Sequence, residues 1–293
     1  MKQTSKIMNF FLKLKLDSIA WSFRRLHCPV DKNALVLEVG SGGNPYFRSN
    51  VLIDAYYETR ERHYAKLIYD RPTVLGFVEN LPFKDNSFDF VIASHVLEHS
   101  KDPARFLSEI QRVSKSGYIE VPDAFFERIA CYLDHRLEIT DINNELIIRK
   151  KKGYIQDHEV YELGQNKISS IFGKIVSRYP FNFNVRYYWS KETGGVKYKI
   201  INPEYEFDWE SPATEKKEVK VKSAIAIIKT IILGLTRRHF SQTKRNKSIN
   251  LFEILMCPVC KKNNTLHTDE KKIFCKQCGG EYIILDNNII KFN

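Results

Sequence analysis

Cysteine is scarce: the 293-residue chain holds six, and four of them fall between positions 257 and 278. That scarcity favours a reducing compartment over a disulfide-stapled secreted framework, two disulfides among those four being the rival reading. Long apolar runs are missing too. Within the Val219 to Phe240 segment only about 13 residues, from Ala224 to Thr236, run with no charge but Lys229. A bilayer-spanning helix needs ~20, so this segment is expected to pack as a linker helix or to lie on an anionic membrane surface. The apolar stretch from Phe10 to Leu16 is broken by Lys13 and Lys15 and lacks a small-residue cleavage site, so no secretory signal is expected. Acids are outnumbered, 35 against 46 basic residues, for a formal charge of +11. This asks for an anionic partner: nucleic acid, a membrane surface, or a phosphorylated or sugar-nucleotide substrate. The expected location is cytoplasmic, with peripheral membrane contact left open.

What is present begins at residues 35–43, Leu-Val-Leu-Glu-Val-Gly-Ser-Gly-Gly. An apolar run carrying one acid, Glu38, breaks into a turn at Gly40, Ser41, Gly42 and Gly43. Continuous aliphatics read as a buried parallel strand, and glycines at its carboxyl end let backbone N–H groups approach a nucleotide-like ligand. A second run, Val51-Leu52-Ile53-Asp54, ends in an acid placed where ribose hydroxyls are held in doubly wound folds. Residues 79–99 then give a Pro-marked turn, a strand, and a polar segment containing Ser94, His95, Glu98 and His99.

Residues 35 to 125 together resemble the class I S-adenosylmethionine-dependent methyltransferases. The similar elements are the E-x-G-x-G loop, the L-P-F-x-D-x-S-F-D-x-V block, V-L-E-H with Asp102-Pro103, and the Glu109 to Val113 helix leading to Gly117-Tyr118-Ile119-Glu120-Val121-Pro122. The resemblance implies a doubly wound, mostly parallel, seven-stranded Rossmann-like α/β sheet. It implies that Glu38, Gly40 and Gly42, with Ser41 and Gly43 in the same loop, border the methionine end of S-adenosylmethionine. Asp54 would border the ribose, Val78, Glu79 and Asn80 the adenine, and Ser94 and His95 the transferring methyl. The chain departs from the family where Asn44 stands near the third loop glycine, Pro45 follows, and Phe77 replaces an acid. The Gly43 to Val51 connection is also too short for a crossover helix. A cavity plugged by Asn44, Pro45 or Phe77 would make the protein a catalytically inactive, zinc-stabilised adaptor.

Cys257-Pro258-Val259-Cys260 and Cys275-Lys276-Gln277-Cys278 are separated by fourteen residues. Paired C-x-x-C knuckles at this spacing bring four thiolates around a structural zinc ion, with no open position for catalysis. The surrounding residues 251–293 resemble small zinc-ribbon activators that bind methyltransferases through a hydrophobic sheet edge, which implies an intramolecular contact with the catalytic domain. A nucleic-acid-binding ribbon is the rival, on Lys261, Lys262, Lys271, Lys272 and Lys276.

The domains expected are an amphipathic N-terminal helix over 1–27, a methyltransferase domain over 28–212, a helix and basic linker over 213–250, and a zinc ribbon over 251–293. The N-terminal stripe (Ile7, Phe10, Phe11, Leu14, Leu16, Ile19, Ala20, Phe23) reads as core packing or a lid. Asn143-Asn144 marks a hairpin, and the aromatic run at 181–189 with 196–201 reads as antiparallel strands closing the main sheet. Direct displacement at the sulfonium methyl requires in-line alignment and a proton acceptor, for which His95, His158 and His99 are the candidates in that order. The acceptor expected is a sugar, glycan precursor or other small molecule, methylated on O or N. A tRNA or a translation factor is the rival.

Overall fold

The computed structural model describes residues 3–59, 65–210, 234–269 and 271–292. Ten strands share one sheet. They are β1 (Val36–Val39), β2 (Val51–Asp54), β3 (Thr73–Leu75), β4 (Phe90–Ser94), β5 (Ser116–Pro122) and β8 (Asn184–Ser190), then β10 (Leu266–Asp269), β11 (Lys272–Cys275), β12 (Glu281–Ile284) and β13 (Ile290–Lys291). The order is β10-β11-β12-β13-β3-β2-β1-β4-β5-β8. Strands β3, β2, β1, β4 and β5 run parallel, and β8 closes the far edge antiparallel to β5. Every residue of β1, β2 and β3 is buried, as continuous aliphatic strands between two covered faces require.

Among the described residues, six strands before residue 251 join this sheet where seven were expected. Of the two segments expected to close the sheet, 184–190 does so as β8. The other, β9 (Tyr198–Ile200), pairs with β7 (Glu145–Lys150), which forms a hairpin with β6 (Leu137–Ile142). Gly194 and Gly195 cause the diversion: both take positive φ (+94° and +76°), a conformation glycine adopts freely. Val196 N then donates to Gln111 Oε1 at 2.8 Å, which points the chain away from β8. Asn143 and Asn144, both at positive φ, form the hairpin turn, as I′ geometry requires.

The segment expected to form a zinc ribbon is part of the same sheet. β13 lies parallel to β3, with Ile290 opposite Val74, and Phe292 N donates to Leu75 O at 2.9 Å. A second seam runs through Met256 N to Pro82 O and Lys84 N to Ile254 O, each 2.9 Å. Leu255, Ile273, Tyr282 and Ile290 share one apolar cluster with Val74, Leu81 and Phe83. Outside the backbone, Lys261 Nζ reaches Glu109 Oε2 at 3.2 Å.

The N-terminal segment is two helices and not one. α1 (Lys6–Lys13) ends at Leu14, Lys15 takes φ +58°, and α2 (Asp17–Ser22) follows. Only Met8 and Ala20 of these helices are buried; Ile7, Phe10, Leu14, Leu16 and Ile19 are all exposed. The expected core stripe therefore does not form, because the left-handed break at Lys15 rotates the two halves out of register. α3 (Pro103–Val113) starts as its sequence demands: Asp102 accepts from Arg105 N and Pro103 occupies the first turn. No crossover helix follows β1. Tyr46, 1% exposed, instead packs with Val36, Phe90, Ile92 and Tyr118 on that face of the sheet. Of the segment Val219 to Phe240, residues 219–233 lie outside the described residues, and 234–240 are helical. Among the described residues, no helix is long and apolar enough to cross a membrane.

Candidate active site and metal centre

A cavity of about 660 Å³ opens at the carboxyl ends of β1, β2 and β4, the place where open α/β sheets bind ligands. Its floor is the glycine turn. Gly40 takes φ +63°, and a Cβ there would stand 2.5 Å from Val96 Cγ2. Gly42 takes φ +58° and its N–H donates to Asp54 Oδ2 at 2.9 Å, while Tyr56 N donates to Asp54 Oδ1 at 3.2 Å. Asp54 thus braces the loop as well as facing the cavity. Ser41 Oγ is buried there without a hydrogen-bond partner, a group that a polar ligand would satisfy.

Glu38 sits beneath this turn. Its Oε2 accepts from Tyr46 N at 2.8 Å and Ser49 Oγ at 2.7 Å. Burial pushes its carboxyl up to about 7, against the opposing pull of Ser49, Arg25, Tyr46 N and Arg71. Such a group ionises when a cation arrives beside it. Val78, Glu79 and Phe77 line the cavity, and Asn44 stands at its rim. Neither Asn44 nor Phe77 fills it, and Pro45 is buried outside the lining. Asn80 is not among the lining residues.

Ser94 and His95 do line it, at the end of β4. His95 holds φ +54°, an unusual conformation for a side chain that large, fixed by its N–H donating to Glu120 O at 2.7 Å. Its ring lies between two buried carboxylates, Nδ1 3.4 Å from Glu98 Oε1 and Nε2 3.3 Å from Glu120 Oε1. Burial lowers its proton affinity, yet the contacts with Glu120 and Glu98 outweigh this and raise it to about 9. At neutral pH it is an imidazolium, a donor and not a proton acceptor. His99 also lines the cavity. His158 does not: it is exposed at the first turn of the helix His158–Leu163, outside the lining.

Sequence reading missed the centre of the network. Glu120, fully buried in β5, accepts from Arg24 Nε at 2.8 Å, from Ser94 Oγ at 3.0 Å and from Tyr118 Oη. Burial opposes its ionisation, but His95 and Arg24 hold its carboxyl well below the usual range. An acid inside the apolar strand Tyr-Ile-Glu-Val was the available signal, the same one that marked Glu38. Arg24 also stacks on Trp21, 3.9 Å from the ring centroid, so the N-terminal segment is anchored to the cavity by a buried charge.

The four ribbon thiols converge within 4.8 Å of one another. The Cys257–Cys278 and Cys260–Cys275 Sγ separations are both 3.6 Å. A disulfide requires about 2.05 Å, whereas Zn–S bonds of about 2.3 Å give a tetrahedral edge near ~3.8 Å. The donor set fits a tetrahedral ion.

Residues 37–119 match a methyltransferase domain. The match covers the strands and turns that build the cavity from β1 to β5. An uncharacterised methyltransferase of Schizosaccharomyces pombe is 49% identical over 43 residues, 15% of this chain and 16% of that protein. YafE of Escherichia coli is 35% identical over 72 residues, 25% of this chain and 33% of that protein. The chain thus spans a third or less of the length of these two curated relatives. Among solved structures, a chain from the complex between the Haloferax volcanii Trm112 methyltransferase activator and a methyltransferase superposes with a TM-score of 0.34 and 15% identity. It covers 66% of this chain and 98% of that one. The YcgJ protein of Bacillus subtilis superposes with a TM-score of 0.30 and 19% identity, over 43% of this chain and 70% of its own.

Proposed function

We propose that the chain is an S-adenosylmethionine-dependent methyltransferase with a structural zinc ion in its ribbon. The observation that carries this reading is the open cavity over the Gly40 to Gly43 turn, flanked by Glu38 and Asp54 and holding the unsatisfied Ser41 hydroxyl. Glu38, with a carboxyl that ionises on meeting a cation, suits the cofactor's ammonium group. Asp54 suits a ribose diol, and the exposed ring of Phe77 offers a face to a purine. When bound, the cofactor supplies an electrophilic methyl group. The protein's part is to exclude water, to seat the acceptor in line, and to hold charge beside it through Ser94 and His95.

The ribbon ion would be held by Cys257, Cys260, Cys275 and Cys278, where it keeps β10 to β13 folded and leaves no position for chemistry. The acceptor proposed is a sugar, glycan precursor or other small molecule, since the lining gathers Arg25, Lys101 and Arg136 with Glu210 around one cavity. A tRNA or translation-factor substrate is the competing acceptor, favoured by the chain's net positive charge. Titration calorimetry of the zinc-loaded protein with S-adenosylmethionine and S-adenosylhomocysteine tests the reading. Saturable binding of both is expected, and no binding of either removes it. Salt dependence separates the acceptors: affinity for a nucleic acid falls steeply with salt, whereas that for a neutral sugar changes little.

A further inference from the structure

A second cluster of metal-ligating side chains borders the cavity, and one of its members, Glu98, also faces His95. Glu98 and His99 lie on the turn Leu97–His99 that follows β4. His135 comes from the connection between the helix Ala124–Ala130 and β6, and it is drawn alongside because Arg136 N donates to Glu98 O at 2.7 Å. One ligand-capable atom from each of Glu98, His99 and His135 lies within 4.8 Å of the other two.

Both rings are oriented from behind. His135 Nδ1 is 2.6 Å from Glu127 Oε2, and Glu127 is itself buried against Lys151 Nζ at 3.2 Å. His99 Nδ1 is 3.2 Å from Asp134 O. A proton on Nδ1 would satisfy each of these two contacts. That is how metal-binding histidines are held, their second nitrogen donating to a carboxylate or a backbone carbonyl. Glu98 supplies the independent sign. It is 2% exposed, and neither carboxylate oxygen has a hydrogen-bond partner. Its cationic neighbour is His95 at the long distance of 3.4 Å. The His95 imidazolium compensates this buried charge from 3.4 Å, and a metal ion would supply the ligation that its two oxygens lack.

We propose that Glu98, His99 and His135 bind a divalent transition-metal ion of the zinc class, distinct from the ribbon's. Two imidazole nitrogens and one carboxylate oxygen suit zinc, and three protein ligands leave a position open. His99 lines the cavity, which puts the cluster against it. Resting on the methyltransferase reading, the ion would take the acceptor's hydroxyl oxygen and ease loss of its proton to solvent, a role that suits an alcohol acceptor.

Metal content by mass spectrometry, after equilibration of the full chain with zinc and removal of the free ion, tests the site without activity. Two ions per chain are expected in the wild type, and one in both His135→Ala and Glu98→Gln. The ribbon's thiolate-bound ion serves as the internal control of folding. One ion in the wild type, or two retained in the variants, overturns the proposal. If His135→Ala does not fold, Glu98→Gln, which keeps the side-chain shape, decides. Calorimetry with S-adenosylmethionine on the same samples separates the two readings. Cofactor binding with one ion per chain removes only the second metal site, and two ions without cofactor binding remove only the methyltransferase.

Discussion

Glu38 makes the stability of this protein depend on pH in a direction opposite to that of most carboxylates. Its folded-state pKa is about 7 against an ordinary 4.5. The neutral form is therefore favoured by folding, and the group stabilises the fold only while protonated. As pH rises above 4.5 the unfolded chain releases the proton and the folded one retains it, so stability falls until the folded group also ionises near pH 7. The difference of 2.5 units, at 1.36 kcal/mol each, predicts a loss of about 3 kcal/mol across that window. Glu38→Gln should abolish it. The amide oxygen can still accept from Tyr46 N and Ser49 Oγ, with no charge to bury. Urea unfolding at fixed zinc and ionic strength, from pH 5 to 8, measures both proteins. The variant is expected to gain on the wild type from pH 5 to about 7, to hold that gain to pH 8 and to be the more stable there, while binding S-adenosylmethionine more weakly. Parallel stability profiles would refute the reasoning, because Glu38 would then ionise alike in both states.

Three other perturbations test separate parts of the structure. Gly40→Ala combines a left-handed backbone with a Cβ 2.5 Å from Val96 Cγ2; strain and overpacking together should cost about 2–5 kcal/mol in urea unfolding and abolish cofactor binding. Arg24→Ala leaves Glu120 buried without its guanidinium partner, and loss of one member of a buried pair predicts about 3–5 kcal/mol of destabilisation; a change under ~1 kcal/mol would mean that His95 and Tyr118 suffice. Chelation of the ribbon ion should lower the melting temperature of the whole chain in one transition, since the ribbon shares its apolar cluster with β3. Two resolved transitions in calorimetry would show that the parts unfold independently.

Much of the cavity was legible because its makers carry local signatures. A glycine turn after an aliphatic strand, an acid ending the next strand and paired C-x-x-C knuckles each need specific residue types at short spacing. Elements fixed by distant partners were not legible. Nothing local to Tyr198 says that it joins β7 and not β8, since the choice rests on two glycine conformations and a contact with Gln111. The stripe on α1 and α2 follows helical periodicity until Lys15 breaks it, and lysine is not a residue that announces a left-handed turn. Glu120 meets Arg24 and His95, and His135 meets Glu98 and His99, from chain segments tens of residues away. His158 has a neighbouring acid and a plausible position in sequence, but no tertiary contact brings it to the cavity.

The pairing of β13 with β3 has a consequence for the protein's behaviour in bulk. Without that partner, β3 would be a terminal strand with a row of open amides and carbonyls beside the apolar surface of Val74 and Leu81, a template for any other extended chain. With it, that border of the sheet moves to β10, which carries His267, Thr268 and Asp269, while the opposite border stays at β8, whose Arg186 is held among aromatic rings. Metal starvation should therefore be felt first as loss of solubility, with growing aggregates templated along the uncovered border.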